Sequence, residues 1–299
     1  MTHEESVRQQ IAAQFSYLGD RADIWRGLEL FLDTDAYLNL GYSRRYQPHA
    51  LGSPQGRLAA RVGRSLAARL PEGGTGERVL DVGCGRGGPA AVLADRYGWR
   101  VLGVDLVAYN ARRARRTAAD RGVEGATSFS VSDATALPVA SGSVAGAVAV
   151  DALVYLPDRA AAIDELGRVL EPGGTAVISD LVAADEDGDG TVEAFATAWD
   201  MERPGTVAEY RSMIEAAGLE VRTVADLTAH SVGRFRRWSG LYLRLLASPI
   251  GDRIERLLAA RGLDPAAVTA QIRRAHAALP ALGHALFVLK DPRKGLYRR

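Results

Sequence analysis

The segment VLDVGCGRGGPAA, residues 79–91, constrains this chain more than any other. An apolar run ends in a carboxylate, Asp81, and breaks into four glycines within six residues, Gly83, Gly85, Gly87 and Gly88. Residues without a Cβ let backbone N–H groups approach a ligand closely, and a helix after the loop presents its positive dipole end there. A strand, a glycine loop and a helix in that order predict an alternating α/β sheet with its ligand crevice at the strand ends.

Gly83, Gly85 and Gly88 satisfy G-x-G-x-x-G. VLGVD (101–105) reads as a second buried strand, ending in an acid about twenty residues downstream, where a ribose hydroxyl needs an acceptor. That pattern alone fits any adenosine-containing cofactor. Asp81 narrows the choice, because it repels a pyrophosphate and offers an ammonium group a charge-assisted partner. S-adenosylmethionine carries the ammonium and no phosphate. NAD carries the pyrophosphate, which makes an NAD-dependent oxidoreductase the first rival reading.

The 37 basic and 36 acidic residues of the 299-residue chain nearly cancel, so no global field draws it to nucleic acid or to a membrane. A small-molecule acceptor is the default partner, and a homodimer is left open. Cys84 is the sole cysteine, which excludes internal disulfides and thiolate metal clusters. Among the loop glycines it reads as a small filler. The polar N-terminus MTHEESVRQQ has no apolar core of the kind a signal peptide needs, and no run reaches the ~20 apolar residues of a membrane span. Cytoplasmic residence is expected. Asp185, Asp187, Asp189 and Gly190 mimic the start of an EF-hand, but Ala196 stands where the bidentate Glu is required, so no metal site is expected.

Near-continuous apolar runs at VLDV, VLGV, AGAVAV and TAVIS read as buried parallel strands, with helices at 89–98, 109–122 and 159–174 between them. The last of these is expected to stop at Pro172 and the following glycine pair. A helix over 56–70 leads into the first strand, and an amphipathic helix at 206–218 and a strand at 219–228 follow the fifth. Residues 232–278 read as helical, ahead of a final strand at 284–292. Asp81, Asp105, Asp133, Asp151 and Asp180 all fall at or just after strand ends, around one crevice.

In order and spacing these segments resemble class I S-adenosylmethionine-dependent methyltransferases, and more narrowly the natural-product and sterol-type members. SVSDATALPVASGSVAGAVAVDALVYLPD (130–158) resembles the family's adenine-binding acid, fourth strand and following loop. RVLEPGGTAVISD (168–180) resembles its helix, glycine turn and fifth strand. The resemblance implies a Rossmann-like, doubly wound, seven-stranded sheet with the last strand antiparallel. It further implies an N-terminal helical lid over 1–58, a cofactor-binding core over 59–183, and a C-terminal part over 184–299 carrying a helical cap at about 230–280. Carried over, Asp81 holds the cofactor's amino group, often through water, and the Gly83, Gly85 and Gly87 backbone lines its methionine portion. Asp105 accepts the ribose hydroxyls, Leu106 packs on adenine, Asp133 accepts from the adenine amine and the Ala134 N–H donates to the ring. Tyr42, within YLNLGYS, is expected to fold over the sulfonium end, against the alternative that Tyr37 and Tyr42 pack an N-terminal helix.

Methyl transfer is an in-line displacement, so the protein must hold the reactants and dispose of a proton. Many relatives of this type carry a His in the loop after the fourth strand. Here that loop reads DALVYLPD, which resembles terpenoid and sterol C-methyltransferases, so the acceptor atom stays open between oxygen and carbon of a small, largely apolar metabolite and the candidates become Asp151, Tyr155 and Asp180, the last expected to open onto the acceptor side. His49 and His230 could reach in from the lid and cap. Arg234, Arg236 and Arg237 read as a solvated cationic face around Phe235 and Trp238. The missing His keeps a cyclase or binding protein on the same fold as a further rival.

Overall fold

The computed structural model describes residues 9, 11, 15, 28, 32–49, 52–70, 75–184, 190–199 and 201–293. Asp185, Asp187 and Asp189 lie outside the described residues, as do most of the first 31. Helix α1 (Pro54–Ala67) starts two residues before the expected point, because the Ser53 side chain accepts from the Gly56 N–H and Pro54 occupies the first turn, where no N–H partner is needed. Then come β1 (Arg78–Val82), α2 (Gly88–Tyr97), β2 (Arg100–Asp105), α3 (Ala108–Asp120), β3 (Thr127–Val131) and β4 (Val144–Val150). After a 3₁₀ turn at Leu153–Tyr155 the chain forms α4 (Arg159–Val169) and β5 (Leu170–Ala183).

The strands form one sheet in the order β3-β2-β1-β4-β5-β7-β6, where β6 is Glu220–Asp226 and β7 is Leu282–Lys290. The first five strands pair in parallel, and β7 runs antiparallel to both β5 and β6. This is the expected Rossmann-like sheet with its last strand reversed. Every residue of β4 is buried, as a central strand covered on both faces requires. The chain order reverses between β1 and β4, so the crevice opens beyond their carboxyl ends.

Helix α4 ends at Val169, earlier than expected. A residue preceding proline disfavours the helical region, and Glu171 to Gly174 instead form an irregularity at the start of β5, with Gly173 at φ 77. Helix α5 (Thr191–Trp199) and helix α6 (Val207–Ala216) precede β6, and Thr206 and Glu209 cap α6 reciprocally. Tyr210 of α6 is fully buried and stacks on Phe287 of β7, ring centroids 5.2 Å apart. Burial of a side chain of that size is worth about 2–3 kcal/mol.

The 232–278 stretch is three helices, α7 (Val232–Leu246), α8 (Gly251–Ala259) and α9 (Pro265–Ala278), inserted between β6 and β7. Their apolar faces join one cluster with Leu181 and Ala183 at the end of β5, with α5, and with Ile11, Phe15 and Leu28 from the N-terminal part. Phe235, Trp238 and Tyr242 are buried in it, while Arg236 and Arg237 line a surface groove. The cap and the N-terminal residues therefore share one core over the strand ends, separate from the clusters on either face of the sheet.

Candidate active site

A cleft, part of it open to solvent, lies at the carboxyl ends of β1, β2 and β4. Gly83 and Gly85 form its floor with φ of 66 and 52, a region L side chains rarely adopt. A Cβ at Gly83 would sit 2.4 Å from the Ala152 Cβ, so the loop can lie this close to β4 only as glycine. Gly87 stands elsewhere. Its φ of 82 makes the turn into α2, and a Cβ there would meet Ala114 of α3 at 2.8 Å. Its expected place beside the cofactor is corrected to helix packing. Cys84 is buried under the loop, where burial pushes its thiol well above the ordinary range, so it is packing material and not a nucleophile.

Asp105 lines the cleft and spends most of its acceptor capacity on the protein. Oδ2 accepts from the Gly85 N–H at 2.8 Å, and Oδ1 accepts from the Val107 N–H at 2.9 Å and the Asn110 amide at 3.1 Å. A carboxylate offers about four lone-pair positions, so capacity for one ribose hydroxyl remains where two were expected. Burial raises its pKa, and those three donors oppose the rise. Leu106, Asp133 and Ala134 also line the cleft, and Asp133 Oδ1 is engaged at 2.8 Å by both the N–H and the hydroxyl of Thr135.

Asp81 behaves differently. It is fully buried at the end of β1, behind the cleft wall and not on it, and among the described residues neither oxygen has a hydrogen-bond partner. Burial pushes its carboxyl up to about 8, with the Asp105 charge adding and the Ala90 backbone N–H partly opposing. Asp81 is thus a buried acid beneath the glycine loop, with the Ala90 backbone N–H the one group that favours its charged form. The glycine floor, the remaining Asp105 acceptor position, the Leu106 and Ala134 walls and this orphaned carboxylate fit a zwitterionic thioether nucleoside. Among the described residues no cluster of His, Cys, Asp or Glu could hold a metal ion.

Three expected residues are brought together less simply. Asp151 is the one non-glycine with positive φ (52) among the described residues, a strained conformation for an L residue. It lines the cleft and a smaller adjoining space walled by Leu40, Val154, Leu181 and Phe195. Its Oδ2 accepts from the Leu40 N–H at 3.1 Å. Tyr155 borders both spaces and meets Phe15 edge-on, centroids 5.1 Å apart. Burial and the nearby Asp151 and Asp180 carboxylates push its phenol above the ordinary range, which keeps it a protonated donor and excludes it as a base. Arg159 fixes this loop by donating to the Leu153 and Val154 carbonyls.

Asp180 is a correction. Alternate residues of β5 face opposite sides, and Ser179 takes the cleft side. Asp180 points to the other face, where Oδ2 accepts from the Tyr210 hydroxyl at 2.8 Å and Oδ1 from the Leu181 N–H at 3.0 Å. It lines neither space. Burial first, and the Asp151 charge second, push it up to about 7.

Tyr42 is a second correction. Its ring lies 5.4 Å from that of His230 and borders a surface groove with Arg61 and Arg64, away from the cleft. Tyr37 packs under α2 and its hydroxyl accepts from Arg121 at 2.8 Å, so neither tyrosine lines the cleft. His49 is held between Ser43 and the Leu40 carbonyl, where burial lowers it to about 4. What covers the cleft is instead Ile11, Phe15, Leu38 and Asn39. Sequence reasoning also passed over Ser132, Asn110 and His284. Asn110 follows Asp105 by five residues on the opening of α3, a spacing that could have flagged it. The His284 imidazole is fully buried with Nε2 at 3.1 Å from Asp151 Oδ1, and its signal was a polar residue ahead of the apolar run of the final strand.

A family model described as a methyltransferase domain matches residues 80–178. Over 193 residues the chain is 32% identical to methyltransferase GfsG of Streptomyces halstedii, covering 64% of this chain and 69% of that one. It is 29% identical over 236 residues to the 27-O-demethylrifamycin SV methyltransferase of Amycolatopsis mediterranei, covering 76% and 81%. The chain spans about half the length of some further O-methyltransferases that it matches. Among solved structures, the [4+2]-cyclase SpnF superposes with a TM-score of 0.68 at 21% identity, over 91% of this chain and 95% of that one. That likeness shows the fold.

Proposed function

The chain belongs to the class I S-adenosylmethionine-dependent methyltransferases, and we propose that it methylates a hydroxyl oxygen of a small, largely apolar metabolite in a secondary-metabolite pathway. One observation carries the choice of acceptor. A carboxylate, Asp151, stands at the wall shared by the glycine-floored cleft and an apolar space, where a hydroxyl proton would have to be received. Several matched relatives are named O-methyltransferases, which supports the same reading.

The cofactor supplies an electrophilic methyl group on a sulfonium. The Gly83 and Gly85 backbone lines its methionine portion, Asp105 takes a ribose hydroxyl, Leu106 flanks the adenine, and Asp133 and Ala134 meet its edge. Phe15 and Leu38 exclude water. Tyr155 presents an aromatic face and a donor hydroxyl to the transfer site, and Asp151 receives the proton. We read residues 1–58 as the lid, 59–183 as the cofactor-binding core and 184–299 as completing the sheet and carrying the acceptor cap. Among the described residues no helix is long and apolar enough to cross a membrane. With the near balance of charge this supports a cytoplasmic protein, its homodimer testable by sedimentation.

Calorimetry with S-adenosylhomocysteine and NAD tests the cofactor reading. The nucleoside is expected to bind and, at 100 times its Kd, to stabilise the fold by about 2.7 kcal/mol. A response to NAD alone overturns it.

A further inference from the structure

Behind Asp151 lies a closed polar chain that reaches from the cleft to the cap. His284, on β7, has Nε2 2.7 Å from Ser179 Oγ and 3.1 Å from Asp151 Oδ1, and Nδ1 2.6 Å from Ser231 Oγ. The imidazole and both hydroxyl-bearing residues are buried, so no water competes for these positions. The backbone N–H of His284 donates to Thr228 Oγ1 at 3.0 Å, which fixes the strand against the turn that opens the cap. A purely structural role would fill this space more cheaply with apolar side chains, since burying an ionisable pair costs several kcal/mol of desolvation. Asp151, meanwhile, is held in its strained left-handed backbone by the Ser179 carbonyl, which accepts from the Asp151 N–H at 2.7 Å.

We propose that His284 is the positioning and proton-holding partner of Asp151, and that the two act as one base toward an acceptor hydroxyl, an inference that rests on the function proposed above. In the resting pair the Ser179 hydroxyl donates to Nε2 and the imidazole donates from Nδ1 to Ser231 Oγ. As the acceptor oxygen bonds to the methyl carbon, the carbon–sulfur bond breaks with its electron pair left on sulfur, discharging the sulfonium. The acceptor's O–H bond breaks and its proton passes to the Asp151 carboxylate, then across 3.1 Å to Nε2 of His284. An imidazolium–carboxylate pair results, with Ser231 still accepting from Nδ1–H, and the proton returns to solvent once product leaves. Ser179 and Ser231 suit both states because a hydroxyl can give or take a hydrogen bond.

The groups facing this pair are few. Asp180 lies across β5 under the Tyr210 hydroxyl, Tyr155 lies beside Asp151 on the cleft wall, and the Arg159 charge acts on Asp180. The Leu40 N–H holds the other Asp151 oxygen. A hydroxyl, whose proton must leave as the methyl group arrives, is the acceptor this pair suits.

The test uses imidazole ¹⁵N NMR on the full chain with His284→Gln and Asp151→Asn for assignment, beside pH–rate profiles on a panel of phenols. In the wild type, neutral His284 is expected as the Nδ1–H tautomer, with its titration displaced in Asp151→Asn. Glutamine occupies the same place without a basic nitrogen. His284→Gln is therefore expected to bind S-adenosylhomocysteine normally, to lose on the order of 100-fold in kcat, and to move the acid limb of the pH–rate profile. An Nε2–H tautomer, an unchanged titration in Asp151→Asn, or an unmoved acid limb in His284→Gln overturns the proposal. If no phenol is methylated by the wild type, the function proposed above fails, and the tautomer and titration still decide the pair.

Discussion

Replacing Asp81 with asparagine should make the ligand-free protein more stable, by an amount that depends on pH. In the unfolded chain this carboxyl ionises near 3.8, and in the fold burial holds it protonated up to about 8. Between those values the unfolded state binds fewer protons than the folded one, so stability falls as pH rises, by about 1.4 kcal/mol per pH unit. The penalty is absent below pH 3.8, reaches about 2 kcal/mol at pH 5 and about 4 kcal/mol at pH 7, and levels off above about 8. Asparagine is isosteric and equally unpartnered, so the difference between the two proteins isolates ionisation. Against a total stability of about 5–15 kcal/mol this is a large effect. Urea denaturation of both proteins at pH 5, 6, 7 and 8 measures it. The gain should come with weaker S-adenosylhomocysteine binding, because the amide offers an ammonium no charge. A stability difference that stays constant with pH, or binding that Asp81→Asn leaves intact, refutes the reasoning.

Further outcomes follow from the same geometry. Gly83→Ala drives a methyl into Ala152 in a left-handed conformation and should weaken S-adenosylhomocysteine binding at least tenfold by calorimetry, whereas Gly85→Ala, whose Cβ would lie 3.4 Å from the nearest atom, should cost mainly the ~1–2 kcal/mol of its backbone conformation. Asp180→Asn should leave kcat within about threefold, since its carboxyl serves Tyr210 on the far face of the sheet; a loss resembling that of Asp151→Asn would contradict the assignment. Phe15→Ala should raise the KM for acceptor severalfold and Tyr42→Phe should change no kinetic constant, both read from steady-state rates.

The sheet was legible because its signals are local. Apolar runs of strand length, glycine turns and carboxylates at strand ends each lie within a few residues, and Gly83, Gly85, Asp105, Leu106, Asp133 and Ala134, named from the motif and the family resemblance, line the cleft. What the sequence withheld depends on distant pairing. Whether Ser179 or Asp180 faces the cleft is set by strand parity, which one residue of register reverses. His284 meets Asp151 because β7 inserts beside β5, 133 positions along the chain. Tyr42 misled for a related reason: an aromatic beside glycine does not say which side chain turns inward, and here Phe15 and Leu38 line the cleft.

The most direct measurement is where a labelled methyl group ends up. With methyl-labelled S-adenosylmethionine and hydroxylated aromatic acceptors, product fragmentation and NMR should place the label on oxygen as a methyl ether, and Asp151→Asn should abolish its formation while retaining S-adenosylhomocysteine binding. Label on carbon, or ether formed as fast without the Asp151 carboxylate, would contradict the account.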